Sequence, residues 1–378
     1  MKKALVSVLV CVSLIFSLCP SVFAASFSVS AKSAILIDAD TLEVLYKKDA
    51  QTKRPMASTT KIMTALICLE NERKNERFEV DSAAIRVEGT SMGLLEGDKV
   101  TLSQLAVGML TLSGNDAANA AAVRISGSSE KFSELMNQKA AQIGMKSTNF
   151  VTPSGLHHEN HYSTAYDMAI LGAFALKNAD FVEISSKPKY TIRYGEPEVT
   201  RTFSNHNRLV REVEGCIGIK TGFTKKAGRC LVSAVKRNGR TLVCVTLSAP
   251  NDWRDHKNLY EYGFSLYKKS TDFDVKLPNL PIVNSQYKSI PLKVSEKPTL
   301  YFRSGEKITI KTALYPFEYA PVYKGQIVGT LYYCVGDAVL KECDLIAARS
   351  AHHLYEKSAE IKKNPFEKLL DWLKSLFK

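Results

Sequence analysis

Metal chemistry has little to work with in this chain. It holds eight cysteines in 378 residues, and none stands at metal-ligand spacing. The one histidine cluster, His157-His158-Glu159-Asn160-His161, fails as a zincin. That motif needs Glu directly after the first His, with the second His four residues on. Here the His157–His161 pair has Glu two positions on, and Pro153-Ser154-Gly155 implies a loop. The net charge of +13 is not matched by a finger, a helix-turn-helix or a basic stripe interleaved with aromatics, so nucleic acid is not an expected partner. No long repeat or low-complexity stretch appears. No metal site is expected on these residues.

Both termini carry addresses. Lys2 and Lys3 precede an apolar run from Ala4 to Cys19, and Val22-Phe23-Ala24 supplies small residues for cleavage. The run is short for a membrane span, so residues 1–24 read as a signal peptide. Leu18 is large for a lipoprotein site at Cys19, and Pro20 follows it. Loss of Lys2 and Lys3 lowers the net charge to about +11, which suits anionic lipid or anionic wall polymer. Six cysteines remain. Export allows disulfides, but simple hairpins set Cys216 against a residue near Ala234, and Cys334 near Leu340. Free, mostly buried thiols are expected.

At the other end, Phe366, Leu369, Leu370, Leu373, Leu376 and Phe377 fall on one helical face. Glu367, Lys368, Asp371, Lys374 and Lys378 take the other, and Pro365 sits at the start. This is an interfacial amphipathic helix, too short and too charged to span. The expected location is the outer face of the cytoplasmic membrane, peripheral.

Between the termini, residues 34–38 and 42–46 read as a hairpin. A helix is expected from Ser58 to about Glu70, with Ile62, Met63, Leu66 and Ile67 as its stripe. Others are expected from Ser103, as cap, through Leu112, and over 117–125, 130–143 and 165–176. Strands are expected over 190–194, 218–222, 230–236 and 242–247, with Asn238-Gly239 turning the last pair. A closing helix follows over 252–268. Early strands, a helical middle and late strands imply an antiparallel sheet whose two sequence ends meet. From Phe273 to about Ala348, alternation punctuated by prolines predicts a separate β-rich domain.

Chemistry concentrates in three ordered motifs: Ser58-Thr59-Thr60-Lys61, Ser113-Gly114-Asn115 and Lys220-Thr221-Gly222. S-x-x-K alone is cheap; it recurs, for instance, at Ser128/Lys131 and Ser304/Lys307. The Lys-Thr-Gly tripeptide occurs once, and the order lifts the set above chance. Positions three apart share a helical face, so Lys61 faces Ser58 and can take its proton if burial and a nearby cation such as Lys220 lower its pKa. Ser113 lies at a helix break, where it can relay a proton to a departing amine. Asn115 can hold Lys61 and bind a substrate carbonyl. Lys220 supplies positive potential, the Thr221 hydroxyl can bind a terminal carboxylate, and Gly222 lets substrate backbone lie close. These are the parts of acyl transfer through a serine ester. Gly89-Thr90-Ser91-Met92-Gly93 also fits G-x-S-x-G, but it leads into another turn, not a helix.

At these residues the chain resembles the serine-type D-Ala-D-Ala carboxypeptidases, the low-molecular-mass penicillin-binding proteins. The resemblance includes Met56 to Thr64, Ser113 to Ala117, Ser154-Gly155-Leu156 with His161 and Ser163 to Asp167, and Gly218 to Thr224. It extends through 320–331 to the terminal helix. It implies an α/β (α+β) serine β-lactamase/transpeptidase-like domain over 25–271, with an antiparallel sheet flanked by helices. A small all-β domain over 272–350 and an amphipathic membrane-anchoring segment over 351–378 complete it. It implies removal of the terminal D-alanine from peptidoglycan stem pentapeptides in cell-wall biogenesis and cell shape, and acylation of Ser58 by β-lactams. It implies no metal or organic cofactor. Catalytic roles fall to Ser58, Lys61 and Ser113, and substrate binding to Asn115, Lys220, Thr221, Gly222 and Phe223. Backbone N–H groups of Ser58 and Phe223 would form the oxyanion hole. Phe223 stands where relatives often carry a polar residue. Arg254 as a carboxylate partner and Glu159 as a deacylating group stay open. The alternatives are a β-lactamase and a non-catalytic wall-binding protein with a decayed site.

Overall fold

A computed structural model describes residues 28–354 and 364–376. The signal-peptide residues 1–24, and Phe377 and Lys378 of the terminal helix, lie outside that range.

The two halves of the first domain meet in one antiparallel sheet. Its strands lie in the order Val44–Lys48, Ser33–Asp38, Arg240–Leu247, Gly228–Arg237 and Cys216–Thr224. The early strand Ser33–Asp38 pairs along its whole length with the late strand Arg240–Leu247, Leu36 opposite Cys244. Strand alternation then builds two cores. Ile35 and Ile37 point into the large core beneath the helical region. Ala34 and Leu36 point the other way, toward Leu259 and Tyr260 of the helix Asp252–Ser265. Both faces are covered, which explains why Ser33–Asp38 is buried throughout.

In the helical region, Lys61–Glu70 is buried at every residue from Lys61 to Leu69. Only a helix surrounded on all sides tolerates that pattern. Leu102–Val107, a π-helical turn Gly108–Leu112, Asn115–Ser126 and Ser129–Gln142 lie around it. Two sequence expectations are corrected here, and two elements are new. Ser58 lies in a 3₁₀ turn, Ala57–Thr60, and the α-helix begins at Lys61. The cap of the next helix is Thr101, not Ser103, because Thr101 and Gln104 form a reciprocal capping box. A helix at Ala179–Ser186, capped by Asn178, and a strand at Glu198–Ser204 were not anticipated.

The β-rich region has a four-stranded antiparallel sheet built on the long hairpin Ile327–Val335 and Ala338–Ala347. A smaller sheet pairs Leu280–Val283 in parallel with Glu318–Tyr319. Its join to the first domain is polar and buried. Arg240, 1% exposed, donates to Asp38 Oδ2 at 3.2 Å, Glu306 Oε2 at 2.6 Å and the Tyr301 carbonyl at 2.8 Å. Tyr267 OH donates to the same Asp38 oxygen at 2.7 Å. Such a network fixes one docking angle, since a slip would leave buried charge unpaired.

Cys216 lies opposite Val235 and Cys334 opposite Val339, each one residue from the expected partner, and a bulge interrupts each strand there. The six cysteines are free thiols, five of them buried. The helix Pro365–Leu376 exposes Phe366, Leu369, Leu370, Trp372 and Leu373. Among the described residues no helix is long and apolar enough to cross a membrane.

Candidate active site

The turn that carries Ser58 is held from several sides. Ala57 adopts φ +48°, a conformation that costs a non-glycine residue energy and persists only when its surroundings enforce it. Thr59 Oγ1 donates to the Met56 carbonyl at 2.6 Å, and Thr60 Oγ1 to the Ala57 carbonyl at 2.8 Å. His161 Nδ1 accepts the Val151 N–H at 2.9 Å, so its proton sits on Nε2, 2.8 Å from Thr60 Oγ1. Thr60 has spent its own proton on Ala57 and accepts that one. Burial keeps the imidazole neutral, with its pKa pushed down to about 4.

Lys61 is fully buried. Its Nζ lies 3.1 Å from Ser58 Oγ, 2.6 Å from Asn115 Oδ1 and 2.6 Å from the Ser154 carbonyl. Burial first, then the charge of Lys220, hold its pKa well below the usual lysine range. In the neutral amine two N–H groups satisfy the two carbonyl oxygens. The lone pair is left for the Ser58 hydroxyl. Asn115 is oriented by donating Nδ2 to the Glu88 carbonyl at 2.6 Å.

Ser113 follows the π-helical turn with φ +73° and is 7% exposed. Next to it Asp116 gathers the loop at 91–94, accepting from Ser91 Oγ at 2.5 Å, Met92 N at 2.9 Å and Leu94 N at 3.0 Å. Ser91 of the G-x-S-x-G decoy is thus tied to a carboxylate.

On the edge strand Cys216–Thr224, Lys220 is 1% exposed and donates to the Thr221 carbonyl at 2.8 Å. Burial pushes its pKa down to about 7. A Cβ on Gly222 would come within 3.0 Å of Met56 O and Thr59 N. The strand therefore lies backbone to backbone on the Ser58 turn, an approach that a side chain at this position would crowd.

Ser58, Ser113, Thr221, Gly222 and Phe223 line one cleft of about 300 Å³. Lys61 and Asn115 reach it through their bonds behind Ser58. Phe223 is 65% exposed at the rim. All eight residues singled out in the sequence thus lie in or directly behind one cleft.

Sequence reasoning missed Thr90, His206, Arg229, Asp252 and Trp253 in the lining. Arg229, not Arg254, is the arginine there. It bonds Asp252 Oδ1 through Nε at 3.0 Å and Nη2 at 2.9 Å, and its guanidinium lies 5.4 Å from the Trp253 ring centroid. Arg254 and Glu159 are exposed outside the lining. Arg229 belongs to no motif; only the hairpin that follows Lys220 brings it round. Also unpredicted was the Ser154 carbonyl on Lys61, because a backbone acceptor leaves no residue-type signal.

The family model described as D-alanyl-D-alanine carboxypeptidase matches residues 21–251. The D-alanyl-D-alanine carboxypeptidase DacF of Bacillus subtilis (strain 168) is 31% identical over 365 residues, covering 91% of this chain and 94% of that protein. Among solved structures, the D-alanyl-D-alanine carboxypeptidase DacD from Francisella tularensis superimposes with a TM-score of 0.61. It is 25% identical, over 87% of this chain and 95% of its own. Penicillin binding protein 5 from Haemophilus influenzae gives a TM-score of 0.60 at 25% identity, over 86% and 98%.

Proposed function

The chain belongs to the D-alanyl-D-alanine carboxypeptidase family and is a serine peptidase of cell-wall metabolism, and we propose that its reaction runs through Ser58 with Lys61 as the base. The neutral Lys61 amine takes the Ser58 proton as Oγ attacks the carbonyl of the penultimate D-alanine. Asn115 Oδ1 and the Ser154 carbonyl hold the amine so that its lone pair stays on Oγ. Backbone N–H groups of Ser58 and Phe223 take the developing oxyanion. Ser113 relays the proton to the departing amine. Terminal D-alanine leaves, and water hydrolyses the acyl-enzyme by the reverse proton path. Lys220 and Thr221 bind the terminal carboxylate, with Arg229 adding positive charge at the same end. Gly222 admits the substrate backbone, and Phe223 forms the rim. A β-lactam opened by Ser58 would remain as a trapped acyl group.

The observation that carries this reading is the buried Lys61 amine 3.1 Å from Ser58 Oγ, with two acceptors engaging its protons. The test is Ser58→Ala. D-alanine release from a pentapeptide ending in D-Ala-D-Ala and covalent penicillin labelling should both vanish. Labelling that persists would mean the wrong nucleophile was named.

We further infer export on the signal at 1–24, a catalytic domain over 25–271 and a β-rich domain over 272–350. The last segment, 351–378, would attach the protein to the outer face of the cytoplasmic membrane. The apolar face of the terminal helix, exposed at Phe366, Leu369 and Leu373, supports that reading.

A further inference from the structure

The end of the β-rich domain remote from the cleft gathers apolar side chains in water. Phe317 and Tyr319 meet edge to face, ring centroids 5.5 Å apart. Tyr319 pairs in register with Val283 on the neighbouring strand. All three are exposed, Tyr319 at 64%. The inner residues of that neighbouring strand, Leu280 and Ile282, already fill the domain core. Its outer face has no folding reason to be apolar.

Position says what covers it. The long hairpin runs from its turn, beside the first domain, to the far end of the β-rich domain. At the near end Leu340 approaches Gly239, and Arg240 joins Tyr301 and Glu306. At the far end Ala347 bonds Gln326, Gly325 and, through its neighbours, the 320–323 segment that carries the exposed Tyr323. Nine residues of strand separate the ends, roughly 30 Å. The chain leaves this domain at the far end: Leu354, itself exposed, donates its N–H to the carbonyl of Asn284, next to Val283. Pro365 opens the amphipathic helix eleven residues later, at most about 40 Å of extended chain. The patch and the helix can therefore reach one flat surface. Tyrosine suits the headgroup level, with its hydroxyl wet and its ring dry, and phenylalanine suits the apolar side of the headgroup/acyl boundary. Exposed Lys324 follows Tyr323 directly, and the connecting sequence sets Lys357, Lys362 and Lys363 against Glu356 and Glu360, a small positive excess that anionic lipid attracts. Glu318 is the one acid between the two rings, and it is half-buried.

We propose that the Val283, Phe317 and Tyr319 patch rests on the same anionic lipid surface as the terminal helix, giving the domain a second, fixed contact with the bilayer. This rests on the membrane reading of the helix above. With both contacts made, the cleft is held at the opposite end of the molecule and its orientation to the wall is set.

The test uses the full exported chain and vesicles of equimolar phosphatidylglycerol and phosphatidylcholine. In one arm Phe317→Ser and Tyr319→Ser are combined; in another Leu369→Gln and Leu373→Gln are combined in the helix. In a third, Tyr319→Cys carries a polarity-sensitive fluorophore. The proposal expects about tenfold weaker vesicle binding in the patch variant, a blue shift of the probe on adding vesicles, and unchanged D-alanine release as proof of folding. Undiminished binding by the patch variant with an unshifted probe, while the helix variant is lost from vesicles, would overturn the patch and leave the helix reading intact. Undiminished binding by the helix variant would overturn the helix reading itself. A probe that responds to isolated glycan strands and not to vesicles would make the face a wall-polymer surface and overturn the proposal.

Discussion

Asn115 holds Lys61 at one end of its amide and the Glu88 carbonyl at the other, both at 2.6 Å. The second bond decides the first. With Nδ2 committed to Glu88, the atom facing the amine is a neutral carbonyl oxygen. It accepts an N–H without favouring the ammonium form as a carboxylate would. Asn115→Asp is therefore expected to raise the Lys61 pKa and remove the base at neutral pH. At pH 7, kcat/KM should fall about a hundredfold or more and recover as pH rises. Asn115→Ala should lose rate with no such alkaline recovery. Parallel pH–rate profiles for the two variants would sink the assignment.

Lys220 offers an independent pH test. Its pKa, pushed down to about 7 by burial, means the unliganded cleft loses that positive charge as pH rises through neutrality. If the charge draws in the terminal carboxylate, kcat/KM for the dipeptide end should carry an alkaline limb near pH 7. Arginine stays charged throughout. Lys220→Arg should thus abolish the limb, at a cost of about tenfold at the optimum because the planar guanidinium fits the strand edge differently. A limb that stays in place would assign it to another group.

The sequence picked out residues that the fold gathers at one cleft and missed what supports them, for a physical reason. Ser58, Lys61, Ser113, Asn115 and Lys220 announce themselves because each job demands a residue type. The Ser154 carbonyl and the positive φ of Ala57 are backbone features, which almost any side chain could accompany. Arg229 reaches the cleft because its strand pairs in register with the Lys220 strand, Phe223 opposite Arg229, and register is invisible without a partner. Element types were legible where alternation or a 3.6-residue stripe was strong. The 101–112 stretch misled because its helix is capped by Thr101, with the Gln104 side chain closing the capping box, and then widens into a π turn before Ser113. The hairpin that places Glu198–Ser204 opposite Lys189–Gly195 was missed because its outer residues are polar and exposed.

His161 links the site to acid stability. Its folded pKa of about 4 lies below the usual 6.5, so the unfolded chain binds more protons between those values. Stability should fall as pH drops through that window, with the penalty complete below about pH 4. Buried His256, pushed to about 3, acts with the same sign. From pH 7 to 5 the His161 share is about 2 kcal/mol. Urea denaturation of His161→Gln should show that much less acid sensitivity than the parent. Equal slopes would mean that His161 is protonated in place without disturbing Thr60.

Gly155 tests whether the turn geometry itself sets the rate. Its φ is +82°, and a Cβ there would lie 2.1 Å from the Ala57 carbonyl oxygen and 2.8 Å from Thr60 Oγ1. Those are the atoms that shape the Ser58 turn, and the preceding Ser154 carbonyl holds Lys61. A methyl group cannot be accepted without moving one of them. Gly155→Ala is expected to cost about 2–4 kcal/mol of stability and to slow acylation by penicillin at least a hundredfold, because both the nucleophile and its base shift together. The two readouts separate the explanations. A lowered melting temperature with an unchanged acylation rate would show that the turn relaxes away from the clash and still presents Ser58 to Lys61. Loss of acylation in a chain that melts only a few degrees earlier would locate the damage in the alignment of Oγ with the amine lone pair.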